Sequence, residues 1–145
     1  MLESIETRLK VLTDENGKAV FATVGSALAL SSLDDVSITR TPSVYVFQQS
    51  ESPKPNRRDL GKPLQEVAIN IGVLLVVTKR NDPTGEKGNK VLTELRKHLR
   101  DSLFGWQPPA PFQPLELGKS NLVKMKAGSI FWLDSFTTTY DAEAI

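Results

Sequence analysis

Residues 64–79 read Leu-Gln-Glu-Val-Ala-Ile-Asn-Ile-Gly-Val-Leu-Leu-Val-Val-Thr-Lys. Val67, Ile69, Ile71, Val73, Leu75 and Val77 alternate without a break, which is the period of a β-strand with one face in a core. The opposite face runs Glu66, Ala68, Asn70, Gly72, Leu74, Val76, so it begins polar and becomes apolar. At about 3.3 Å per residue the run would reach some 50 Å, well beyond the usual strand. Its polar first half is therefore expected to project from the domain body. Its apolar second half needs cover on both faces, from helices or from a neighbouring subunit.

Working outward toward the N-terminus, residues 49–63 are rich in Pro, Ser, Lys, Arg and Asn. Pro53, Pro55 and Pro63 argue against a strand interior. The stretch reads as a long exposed loop, and with the polar half of strand 64–79 it makes one protruding hairpin. Lys54, Arg57, Arg58 and Lys62 stand against Glu51 and Asp59, so the loop is locally more basic than the chain. Arg57 and Arg58 suit carboxylate or phosphate partners. Upstream, Val44, Tyr45, Val46 and Phe47 after Pro42 mark a strand at 43–48, and residues 19–24 mark a shorter one. Residues 25–35, with Leu28, Leu30 and Leu33, fit a short helix or an irregular loop. At the start of the chain Leu2, Ile5, Leu9 and Leu12 form one helical stripe. Acids lead and bases follow there, and Asn16-Gly17 gives a turn.

Working outward in the other direction, Asp82-Pro83 has the chemistry of a helix start. Leu92, Leu95, Leu99 and Leu103 supply the buried stripe of that helix. Gly105, Trp106 and Pro108-Pro109 end it, with the glycine placed for a left-handed cap. Residues 115–126 and 129–140 then read as a hairpin around Ala127-Gly128. Ile130, Phe131, Trp132 and Leu133 are apolar on both faces. The expected fold class is α+β: a mainly antiparallel β-sheet, two principal α-helices packed on one face, and a protruding β-hairpin, all in one domain over 1–145.

Composition narrows the function. Eighteen Lys and Arg against 17 Asp and Glu leave a net charge of +1, without the basic excess of a dedicated DNA-binding domain. There is no cysteine, which removes disulfides, thiolate metal sites and cysteine nucleophiles. The acidic start of the chain argues against a signal peptide. The longest apolar stretch, 72–77, is far short of the roughly 20 residues that cross a bilayer.

The candidate catalytic groups are thin. His98 is the one histidine and sits four residues from Glu94, the spacing of a helix-surface pair. A zinc site would need further Cys or His ligands, which the chain lacks. Asp34-Asp35 has no third acid at a metal-loop spacing, and Asp101 stands alone. Gly85-Glu86-Lys87-Gly88-Asn89-Lys90 misses the phosphate-loop spacing, and Gly25-Ser26 lacks a third glycine. Asp134 interrupts the most apolar strand and reads as a sheet-edge or interface acid. No catalytic, cofactor or metal residues are assigned. The contact residues are Lys54, Arg57, Arg58 and Lys62 for a lumen or an axial neighbour, and Leu74, Val76, Phe131, Leu133 and Asp134 between subunits.

Several pieces of the chain resemble the tail terminator proteins of long-tailed bacteriophages, those of Mu-like phages in particular. They are Leu103-Phe104-Gly105-Trp106-Gln107-Pro108-Pro109, Pro114-Leu115-Glu116-Leu117, Gly128-Ser129-Ile130-Phe131-Trp132-Leu133-Asp134, Phe136-Thr137-Thr138-Thr139-Tyr140, and the opening Ile5-Glu6-Thr7-Arg8-Leu9-Lys10. The resemblance implies an α+β structural protein of the virion, not an enzyme and without a cofactor. It implies a homo-hexameric ring on the head-proximal end of the tail tube that stops polymerisation and presents a docking surface to the neck. The implied partners are other copies of the chain, the tail tube protein, a neck or head-completion protein and, in contractile tails, the sheath protein. Genomic DNA passes through the lumen without being read, no membrane is involved, and assembly takes place in the host cytoplasm. The competing readings are another neck or tail-completion ring, a small ligand-binding module, and an enzyme using Asp134 or His98.

Overall fold

The strand expected at 64–79 forms as Leu64–Thr78 and lies inside a six-stranded sheet. The computed structural model describes residues 1–26, 41–79, 84–126 and 128–145. In chain order the elements are α1 (Leu2–Lys10), β1 (Thr23–Ser26), β2 (Ser43–Pro53), β3 (Leu64–Thr78), α2 (Glu86–Leu103), β4 (Glu116–Leu117), β5 (Asn121–Lys126) and β6 (Ser129–Glu143). The strands run in the order β1-β2-β3-β6-β4, with β5 also paired to β6. Among the described residues β1 and β2 are parallel and every other pair is antiparallel. The fold is α+β, with a mainly antiparallel sheet and two helices among the described residues.

The alternation in β3 sets the layers. Val67, Ile69, Ile71, Val73, Leu75 and Val77 are all buried. They meet Ile5 and Leu9 of α1 and Leu92, Leu95, Leu99 and Leu103 of α2 in one core. Burying each of those helix leucines is worth about 2 kcal/mol. The opposite face carries a second, smaller cluster of Tyr45, Leu74, Val76 and Phe131, flanked by Phe47 and Leu133. Both faces of the apolar half of β3 are thus covered within the chain.

The helices tie to each other at their ends. Arg8, in the last turn of α1, donates through Nε to the Ser102 carbonyl at 2.8 Å, and its guanidinium lies 5.0 Å from the Trp106 ring centroid. That carbonyl belongs to the last turn of α2, where helix geometry leaves acceptors unfilled and favours a cation. Gly105 has a φ of 81°, the left-handed conformation its position called for. Its N–H, however, donates to the Leu115 carbonyl, and Leu115 donates back to Trp106. The helix end is therefore closed twice: by its own carbonyls, with Phe104 donating to Arg100 and Trp106 to Leu103, and by the following segment.

Several boundaries differ from expectation. β2 runs on through Gln49, Ser50, Glu51 and Ser52 to Pro53, so the expected loop 49–63 shrinks to 54–63. Polar residues pair there because β3 offers a ladder, with an irregularity at Gln49. Pro53 is tolerated at the strand's last residue. The strand expected at 19–24 forms later, as β1: Ala19 makes an isolated bridge to Thr13, and Val20 and Phe21 are buried outside any strand. α2 starts at Glu86 after Gly85, whose φ is 75°. Asp82-Pro83 and most of 25–35, including Leu28, Leu30 and Leu33, lie outside the described residues. The expected strand 115–126 divides into β4 and β5, both against β6.

Gly72 is a packing requirement of the second face. A Cβ there would lie 2.6 and 2.8 Å from carbons of the Phe47 ring and 2.9 Å from Gln49 Cγ. The aromatic ring lies over the bare glycine of the neighbouring strand. Gly72→Ala should destabilise the fold by about 1–2 kcal/mol by forcing Phe47 aside. Combined with Phe47→Ala it should cost less than the sum of the two single changes, as measured by urea unfolding. Strict additivity would show that the ring is not held on the glycine.

Candidate functional site

The far end of the sheet is a three-stranded arm built from β2, β3 and β6. Its residues pair from Phe47, Gly72 and Ser135 out to Pro53, Val67 and Tyr140, with one shift of register at Gln49 of β2. Beyond Phe47 the residues of β2 are exposed, while Val67, Ile69 and Thr138 remain buried. Phe112 packs edge-on against Tyr140, with centroids 5.5 Å apart, and Gln113 donates to the Thr139 carbonyl. The segment after α2 thus braces the arm.

The loop 54–63 is stitched to the strands beside it. Asn56 Oδ1 accepts from the backbone N–H of Leu64 and of Arg58, and its amide donates to the Arg58 carbonyl. Lys54 donates to Glu66 at 2.9 Å, Arg57 pairs with Asp141, and Arg58 pairs with Glu143 at 3.0 Å. Arg58 also donates to the Lys62 carbonyl. The four bases picked out in the sequence are brought together. Three of them face carboxylates, two of which are supplied by β6 some 80 residues later. With Glu51, Asp59, Glu66, Asp141 and Glu143 counted against Lys54, Arg57, Arg58 and Lys62, the tip holds five acids to four bases.

Asp134 is buried on the helix side of the sheet, opposite Val73. Arg96 of α2 grips it through Nε and Nη2 at 3.0–3.1 Å, Ser120 donates at 2.7 Å, and the Trp132 indole donates at 3.1 Å. The Arg96 guanidinium also lies 4.6 Å from the Trp132 ring centroid. This acid is occupied inside the chain, by a partner that joins α2 to β6 and to the β4–β5 link. Leu74, Val76 and Phe131 are buried in the second cluster and leave little surface for a neighbour, whereas Leu133 is half-buried.

The surface that sequence reasoning missed is the β4–β5 edge. Leu117, Leu122, Val123 and Met125 are 42%, 47%, 50% and 57% exposed. The alternation of Val123 and Met125 with lysines marks a strand, but here the apolar phase faces out. The cue was the number of lysines around it, Lys119, Lys124 and Lys126, which is unusual beside a core. His98 lines a shallow groove of about 320 Å³ with Asp14, Lys90 and Glu94. No group of three or more His, Cys, Asp or Glu side chains converges to hold a metal ion among the described residues.

Asp134→Asn leaves the buried end of Arg96 without its counter-charge. It should cost about 3 kcal/mol, the low end for a broken buried pair because Arg96 is partly exposed. Thermal or urea unfolding reads this directly, and a loss under 1 kcal/mol would show that the network is dispensable. The Lys54 hydrogen bond, and then its charge, hold the Glu66 carboxyl below the ordinary glutamate value. A depressed carboxyl contributes stability above its unfolded pKa and loses it as pH falls through the folded one. NMR titration should therefore find Glu66 among the last glutamates to protonate, and Lys54→Met should raise its midpoint.

The family model described as phage tail terminator protein matches residues 6–144. Among solved structures, a chain of one titled "Virion of native gene transfer agent (GTA) particle" matches with a TM-score of 0.56 at 12% identity. The match covers 95% of this chain and 92% of that one. At that identity the likeness is one of fold. No curated protein sequence matches the chain.

Proposed function

The chain belongs to the phage tail terminator family, and from that premise we propose that it forms a six-subunit ring that caps the head-proximal end of a tail tube. It is a structural protein of the virion tail. In the proposed role the ring stops tube polymerisation and gives the neck or head-completion protein its docking surface. The tail tube protein lies on its other side, with the sheath protein outside it in contractile tails. The observation that carries the reading is the family match across 6–144, nearly the whole chain.

The geometry is consistent with such a part. A closed ring needs two complementary surfaces per subunit in a head-to-tail contact. The arm supplies a rigid projection for an axial or lumenal role, with Lys54, Arg57, Arg58 and Lys62 at its tip. Three of its four cations, Lys54, Arg57 and Arg58, are paired with carboxylates, and the chain as a whole carries +1. DNA affinity rises steeply with each phosphate neutralised. A near-neutral wall therefore lets genomic DNA pass without gripping it.

Electron microscopy of the protein mixed with tail tubes tests the reading. Rings should cap one tube end and arrest elongation; tubes that grow on regardless would sink it. The tip is tested separately by Arg57→Glu with Arg58→Glu. Exposed pairs are worth about 0–1 kcal/mol each, so the double variant should keep its fold by circular dichroism. It should fail to join tails to heads, and fully infectious particles from that variant would remove the loop from the contact.

A further inference from the structure

Beside the Arg96–Asp134 pair lies a small, largely enclosed pocket of about 80 Å³, between α2, the β4–β5 link and β6. The charged side chains that line it are Arg96, Arg100 and Asp134, with Ser120, Leu117 and Phe136 among the other walls. Roughly 10–15 Å³ of such space admits one water, so the pocket has room for a larger group. We propose that it receives the carboxylate of a glutamate side chain, presented by a neighbouring protein of the assembled tail. The occupant rests on the role in the tail given above; the preference for a carboxylate rests on the pocket itself.

Charge and wall chemistry choose that occupant. Arg96 and Arg100 stand one turn apart on the same side of α2. Arg96 gives Nε and Nη2 to Asp134, and among the described residues its Nη1 makes no hydrogen bond. The Arg100 side chain makes neither a hydrogen bond nor an ion pair among those residues. Two guanidinium groups against one carboxylate leave one positive charge over, in a site partly shut off from water where charges interact more strongly. A guanidinium offers parallel donors that match a carboxylate. Arg96 is already held between Asp134 and the Trp132 ring, so an incoming acid need not order it. One negative charge balances the pocket, whereas a doubly charged phosphate would set its excess against Asp134. Leu117 is paired with Phe136, so the two side chains share a face of the sheet, the one on which Phe136 meets the α2 leucines. They give an apolar passage for the two methylenes of a glutamate. Outside it, Leu117, Leu122, Val123 and Met125 form exposed apolar surface along β4 and β5. A free ion has no use for such a surround, and a protein covers it.

NMR of the arginine side chains in the purified protein reads the pocket directly. Propionate stands for the glutamate side chain, propionamide for its neutral counterpart and inorganic phosphate for a competing anion. Propionate should shift the Nε–H resonances of Arg96 and Arg100, at about a tenfold lower concentration than propionamide because the hydrogen bonds are charge-assisted. Arg100→Gln should weaken that response and Arg100→Lys should keep part of it, with thermal unfolding unchanged in both because the side chain is exposed. No response to propionate, an equal response to propionamide, or a stronger one to phosphate would overturn the carboxylate assignment. The contact is then tested by mixing Arg100→Glu with tail tubes under the electron microscope. Capping should fall at least tenfold, since the variant sets like charges against each other, and Arg100→Lys should cap better than Arg100→Glu. Undiminished capping by Arg100→Glu would overturn the contact and leave the ring standing. Wild-type protein that caps no tube would overturn the ring and the contact together, with the propionate titration still deciding the pocket.

Discussion

The constraint on which the structure depends is that one strand is buried on both faces for half its length. β3 alternates Ile71, Val73, Leu75 and Val77 toward the helices with Leu74 and Val76 toward the other side, and all six are buried. A strand of that kind cannot stand at a sheet edge or beneath a single layer. It forces β2 and β6 onto its two sides, brings α1 and α2 onto one face, and requires the cluster of Tyr45 and Phe131 on the other. Where the second face turns polar, at Asn70 and Glu66, the same strand can leave the body, and the arm begins.

Charged groups then fix how the layers sit. Arg96 and Asp134 join helix to sheet at the depth of the core, with Trp132 stacked beneath the guanidinium and Ser120 completing the acceptor. Arg8 does the corresponding work at the outer end of α2, where the Ser102 carbonyl takes its proton donor. At the arm tip, pairs with Glu66, Asp141 and Glu143 hold the loop down in solvent, where each is weak alone and their number matters. One pair orients the core and three fasten a loop.

What could be read from the sequence was local. The six alternating residues of β3 and the leucines at 92, 95, 99 and 103 announce their periods, and each is buried where its period puts it. Gly105 announces its left-handed backbone. What could not be read depends on distant partners. Gln49 to Ser52 have no strand signal of their own and are extended because β3 lies beside them. Asp134 looks like an interface acid until Arg96, 38 residues earlier, is brought over it. Arg57 and Arg58 look free until β6 returns with Asp141 and Glu143. The exposed phase of β5 is not given by its alternation for a related reason: periodicity shows that a strand has two sides, but not which one has a neighbour.

β3 and β6 are paired residue for residue from Leu64 with Glu143 to Thr78 with Ser129, without a register shift. At about 3.3 Å per residue this is a ribbon close to 50 Å long. A force along that ribbon is a shear load, shared by all the cross-strand hydrogen bonds at once, where a force across it would peel them one at a time. The subunit thus contains a stiff strut from the loop at residues 54–63 to the turn at Gly128. A push received at one end arrives at the other with little lost to bending between them.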